Sequence, residues 1–113
     1  MAVKVSEDMM DAVTAVSGSG PAYAMIFVEE MAKAGTELGL EKDKALMLAA
    51  MTVKGGASLI IESGEEPDVL TKRVCSPGGT TLAAVDSFES DGFRDIIRRA
   101  VHAAAKRSKE LAE

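Results

Sequence analysis

Between Ala45 and Ile61 the chain carries one charge, Lys54, and its other polar side chains are Thr52 and Ser58. No other feature limits the fold as strongly. A helix with one wet face shows charges at regular helical intervals, and this run does not. With its flanks it predicts a helix over 42–63 that stops at Gly64. A membrane span needs about 20 apolar residues. This run is shorter and holds Lys54, Thr52, Ser58 and Gly55-Gly56. The expectation is therefore a helix buried on nearly all sides, without a membrane partner. Ala45, Ala49, Thr52 and Gly56 are small, so another helix can come close. The preceding segment makes the same demand. Pro21 suits the first position of a helix, where its missing N–H costs nothing. The helix predicted over 22–38 stops at Gly39, and its opening (AYAMIFV) is apolar on every side. Its charges, Glu29, Glu30, Lys33 and Glu37, come later. A chain of 113 residues suits one domain, and one small domain has difficulty surrounding two such helices. The surplus apolar surface argues for an oligomer.

The remaining segments are also helical. Residues 1–10 mix charges with Met and read as a linker or frayed start, with the domain proper at 11–113. Pro67 opens a short helix over 67–74, followed by the loop Cys75-Ser76-Pro77-Gly78-Gly79-Thr80-Thr81. Leu82, Val85 and Phe88 repeat at helical spacing up to Gly92. Over 93–111, Phe93, Ile96, Ile97, Ala100, Val101, Ala104 and Leu111 form one stripe. No segment sustains the period-two alternation of a half-buried strand. The fold class is all-α, a bundle of five or six helices without a Rossmann domain. The net charge is −5, with one Tyr, three Phe and no Trp, which argues against a nucleic-acid partner. Charge is uneven: residues 93–113 hold six bases and three acids. Cys75 is the single cysteine and His102 the single histidine, so no intrachain disulfide forms and no metal site is expected. The start (MAVKVSEDMM) has no apolar signal segment, and a cytoplasmic setting is the expectation.

Two glycine-rich segments could carry chemistry. Gly18-Ser19-Gly20 follows the β-compatible Ala12-Val13-Thr14-Ala15-Val16 and suggests a dinucleotide fingerprint. That pattern needs a third small residue where Tyr23 stands, and no strand follows the next helix. A close-packed helix junction is the better reading, and no cofactor-binding residue is assigned. Ser76-Pro77-Gly78-Gly79-Thr80-Thr81 leads into a helix. Glycines let backbone N–H groups turn toward a ligand, and a helix N-terminus adds positive potential. Hydroxyls can donate further bonds, so such a loop can hold a carboxylate or phosphate. The plainer alternative is a helix start capped by Thr80 or Thr81. Gly-Gly beside Pro is more glycine than a cap requires, which favours a ligand. His102 reads as an exposed structural residue and Cys75 as a packed or capping thiol. Tyr23 reads as a core residue with its hydroxyl bonded. Arg94, Arg98, Arg99, Lys106 and Arg107 read as a solvated basic face or as ion-pair partners for acids. No triad, carboxylate pair or metal constellation is visible, so no catalytic residue is assigned.

Three blocks together carry a specific resemblance: the segment from Met10 through Ser17-Gly18-Ser19-Gly20-Pro21-Ala22-Tyr23, the Gly55-Gly56-Ala57 helix, and Val74-Cys75-Ser76-Pro77-Gly78-Gly79-Thr80-Thr81-Leu82 through Val85. With Gly92-Phe93-Arg94 and Lys106-Arg107-Ser108-Lys109-Glu110-Leu111 they span about residues 5–112. The chain resembles the C-terminal domain of the pyrroline-5-carboxylate reductase family, the last enzymes of proline biosynthesis. The resemblance implies an all-helical, intertwined homodimer that often assembles into decamers, as a pentamer of dimers. It implies an oxidoreductase whose NADPH or NADH lies on a Rossmann domain outside this sequence, so this chain alone should be inactive. By position it implies that Ser76, Gly78, Gly79, Thr80 and Thr81 bind the carboxylate of pyrroline-5-carboxylate or proline. Cys75 stands where many family members carry Thr or Ser, which leaves a hydroxyl bond at that position in question. The alternative is a stand-alone helical homo-oligomeric interaction module without catalysis, which would not need the loop to bind proline-like carboxylates.

Overall fold

A computed structural model describes residues 6–75 and 79–113, and every regular element among them is helical. A 3-10 turn, Glu7–Met9, leads into α1, Met10–Val13, and then a π-helical turn, Thr14–Gly18. The long helices are α2, Gly20–Glu37, and α3, Lys42–Ser63. They are followed by α4, Pro67–Cys75, α5, Gly79–Ser90, and α6, Phe93–Ala112. The punctuation falls where local chemistry predicts. Gly64 takes φ +67°, a left-handed conformation closed to most side chains, and its N–H donates to the Ile60 carbonyl at 3.2 Å to close α3. Gly92, at φ +70°, turns the chain into α6. Pro67 begins α4, with the Glu66 carbonyl accepting from Val69 and Leu70.

Several expectations need correction. The stretch read as a linker already turns helically from Glu7. The β-compatible residues 12–16 are helical: Ala15 is buried and Val13 half-buried where α1 and the π-turn meet α6, while Ala12 and Val16 stay exposed. Within the chain, packing forms two compact units. The first unit is the chain up to Tyr23 together with Phe88–Glu113, and the second is Ala24–Ser87.

In the first unit α6 packs on α1 and the π-turn. Ala15 is fully buried there. The wide π-turn, with Ser19 N–H donating to Thr14 at 2.9 Å, brings the Ala15 carbonyl within reach of the Tyr23 hydroxyl, which donates to it at 2.8 Å. Ser108 on α6 donates to Asp11 at 2.7 Å across 97 positions of sequence. Phe88 and Phe93 stack with ring centroids 4.6 Å apart, and Arg94 pairs with Glu89 beside them. Only part of the predicted α6 stripe is covered. Phe93, Val101 and Ala104 are half-buried, whereas Ile96, Ile97 and Leu111 are exposed. Replacing Tyr23 with Phe removes one partly buried hydrogen bond. It should lower unfolding free energy by about 1 kcal/mol in urea at fixed protein concentration. An unchanged midpoint would mean the Ala15 carbonyl finds another partner.

In the second unit a small cluster of Ala32, Ala45 and Ala49 joins α2 to α3, with Val28 and Met31 against it. Leu70 of α4 is also buried. The all-round burial expected for α2 and α3 is absent in the single chain. Met25 and Ile26 are 64% and 60% exposed, and Met51 and Ile61 are 62% and 67% exposed. One chain supplies too little material to surround two apolar helices, so alanines meet between them while the large side chains face outward. At 22 residues α3 is long and apolar enough to cross a membrane by length and composition alone.

Candidate functional site

The carboxylate loop predicted from sequence lies partly outside the described residues: Ser76 and Gly78 fall there, as does Pro77. The structure places Gly79, Thr80 and Thr81 in the first turn of α5. Neither threonine is the helix cap, since both lie inside the helix. Gly79 and Thr80 are exposed and Thr81 is half-buried. Among the described residues neither hydroxyl has a hydrogen-bond partner.

This first turn is suited to an anion. The first four N–H groups of a helix have no intrahelical acceptor, and the helix dipole places positive potential there. No acidic residue lies in the first turn of α5 to compete. A Cβ built on Gly79 would meet nothing within 4 Å among the described residues. The packing of the described residues therefore does not require glycine there, whereas a ligand approaching the backbone would.

The other candidates have structural places. Cys75 is half-buried at the end of α4 and free of any disulfide. Arg73, two residues earlier in α4, forms a two-pronged pair with Glu65. That hydrogen bond pushes the Arg73 pKa further up. His102 is exposed. The basic face of α6 is a solvated, ion-paired surface: Asp95 takes Arg99 at 3.3 Å and Arg98 at 3.7 Å, and Glu110 takes Arg107 at 3.7 Å. Among the described residues no three His, Cys, Asp or Glu side chains gather into a metal cluster. Sequence reasoning did not find the Asp11–Ser108 contact, because no local signal links positions so far apart.

A family model described as pyrroline-5-carboxylate reductase dimerisation matches residues 7–111. The chain belongs to this family. It is 48% identical to a pyrroline-5-carboxylate reductase of Arabidopsis thaliana over 98% of its own length and 40% of that protein's. It is 50% identical to the Synechocystis enzyme of the same name, covering 96% of this chain and 41% of the relative. Among solved structures, the Plasmodium falciparum pyrroline carboxylate reductase with NADP bound aligns with a TM-score of 0.91 at 33% identity, over 98% of this chain and 42% of that one. The Coxiella burnetii reductase aligns at 0.89 and 40% identity, over 96% of this chain and 40% of that one. The chain thus spans about two fifths of the relatives it matches, and it corresponds to their C-terminal part. The resemblance carried by the glycine-rich blocks and the all-α fold class are both borne out.

Proposed function

We propose that this domain is the dimerisation and substrate-carboxylate half of an enzyme that reduces 1-pyrroline-5-carboxylate to L-proline with NADPH or NADH. The observation that carries the reading is the anion-ready first turn of α5 within a domain of the reductase dimerisation family. The substrate carries one carboxylate beside its imine. Held by Gly79 N–H and the hydroxyls of Thr80 and Thr81, with Ser76 and Gly78 completing the loop, that carboxylate would fix which face of the ring is presented. Neutral donors suit this task, since they orient an anion without leaving a buried charge after product departs.

The described residues do not fit a dinucleotide. They contain no strand, and Gly18 ends a π-turn while Gly20 begins α2, so the strand–turn–helix that cradles a pyrophosphate is missing. In this reading the nicotinamide cofactor, and the hydride it supplies, would be held outside the described residues. The exposed apolar faces of α2 and α3 would be covered by a second copy, as a homodimer that can assemble further into a pentamer of dimers, in the cytoplasm.

Domain replacement tests the reading. The corresponding domain of the Synechocystis relative is exchanged for this chain, and NADPH oxidation is followed on adding pyrroline-5-carboxylate. The hybrid should turn over, and the pure chain should not. A folded, dimeric hybrid without activity would favour the non-catalytic interaction module; turnover by the pure chain would overturn the assignment of the cofactor to another segment.

A further inference from the structure

Gly55 and Gly56 interrupt the most apolar helix of the chain, and nothing among the described residues accounts for them. Glycine weakens a helix interior. Elsewhere its use has visible causes: Gly64 and Gly92 adopt positive φ, and a Cβ on Gly35 would stand 3.2 Å from Leu40 and 3.4 Å from Ala45. Gly55 and Gly56 have neither a positive φ nor any heavy atom within 4 Å of a built Cβ.

The surroundings of Gly55 supply a second observation. Leu48, Met51, Thr52, Gly55 and Leu59 follow the spacing i, i+3, i+4, i+7, i+11 and so lie along one stripe of α3. Leu48, Met51 and Leu59 are exposed, at 54%, 62% and 47%. Thr52 is already satisfied, since its hydroxyl donates to the Leu48 carbonyl at 2.6 Å. It can enter a dry contact without an orphaned polar group. The stripe is thus large side chains flanking a notch at Gly55. It can serve as its own complement when the same surface of another copy is rotated against it, which is what a two-fold interface requires.

We infer that α3 crosses α3 of a second copy of this chain at Gly55, with Leu48, Met51 and Leu59 of each copy seated beside the partner's notch. The inference rests on the dimer reading above and names where that dimer makes its closest backbone approach. The family's dimerisation description selects a second copy as occupant. The rival occupant is a lipid bilayer, which α3 satisfies by length and composition but which gives no use to a notch or to Lys54 in mid-helix.

Crosslinking and dilution test it together. With Cys75→Ser as background, Gly55→Cys should yield a disulfide-linked dimer under mild oxidation, because a disulfide needs Cα atoms within about 7 Å. Ala57→Cys, on the opposite side of α3, should not. Gly55→Leu keeps the helix, as followed by far-UV circular dichroism, and should raise the dimer dissociation constant about 10- to 100-fold through overpacking. A wild-type chain that is monomeric at every concentration would remove the dimer reading and the inference together. A wild-type dimer whose Gly55→Cys variant does not crosslink and whose Gly55→Leu variant dissociates no more readily would overturn the crossing point alone. Flotation of the wild-type chain with phosphatidylcholine vesicles in place of dimer formation would assign the stripe to lipid and overturn the inference.

Discussion

Gly79→Val, made in the hybrid with the Synechocystis relative, should raise KM for pyrroline-5-carboxylate about 10- to 100-fold, the factor for losing roughly 1.5–3 kcal/mol of hydrogen bonding to a charged group. The structure separates this effect from misfolding. Gly79 lies in the first turn of α5, and a Cβ there meets no atom of the described residues within 4 Å. Valine is therefore accommodated by the empty domain, and the cost falls on whatever approaches the backbone N–H. Thr81→Val is the complementary change, removing a half-buried hydroxyl at nearly constant volume. It should raise KM in the same range. Both substitutions weaken ground-state and transition-state binding alike, so kcat should stay close to wild type. Steady-state kinetics on both variants, with thermal melts as the folding control, decide the matter. Unchanged KM in both would take the first turn of α5 out of the substrate site.

Ile26→Glu should split the dimer and leave the single chain folded. The residue is 60% exposed in the chain alone, where a surface substitution usually changes stability by no more than about 0.5 kcal/mol. In a dimer that covers α2, the same change buries an unpaired carboxylate, which costs several kcal/mol in effective terms. The dissociation constant should rise by about 1,000-fold or more, since each 1.4 kcal/mol is tenfold. Light scattering over a dilution series should show the wild-type chain holding twice its 11.8 kDa mass, while the variant falls to the single mass. A variant that stays dimeric would show that α2 faces solvent in the assembly. The covering of Met25 and Ile26 would then need another explanation.

Much of the local structure was readable because it depends on neighbours in sequence. Pro21 and Pro67 mark helix starts by their missing N–H, and Gly39, Gly64 and Gly92 mark stops or turns by the left-handed conformations they adopt. The proposed anion site was open to sequence reading for the same reason: Gly79 and the two threonines are chemistry carried on adjacent residues. The extension of α5 back to Gly79 was not readable, because glycine and threonine favour loop and helix start about equally. Residues 12–16 misled for a related reason. Val, Thr and Ala suit a strand or a helix, and only packing beneath α6 selects the helical turns.

By itself, then, the sequence determined the all-helical class, the ends of the long helices and the family. Each of these follows from residue type and short-range spacing. The tertiary structure decided which faces are covered. It set Ala15 at the centre of the first unit, turned the Tyr23 hydroxyl onto its carbonyl, and joined Asp11 to Ser108. It also showed that Met25, Ile26 and Met51, apolar enough to suggest complete burial, stand open in one chain. Burial is a property of what surrounds a side chain, and those surroundings come from residues distant in sequence or from another molecule. No periodicity within a helix can supply them.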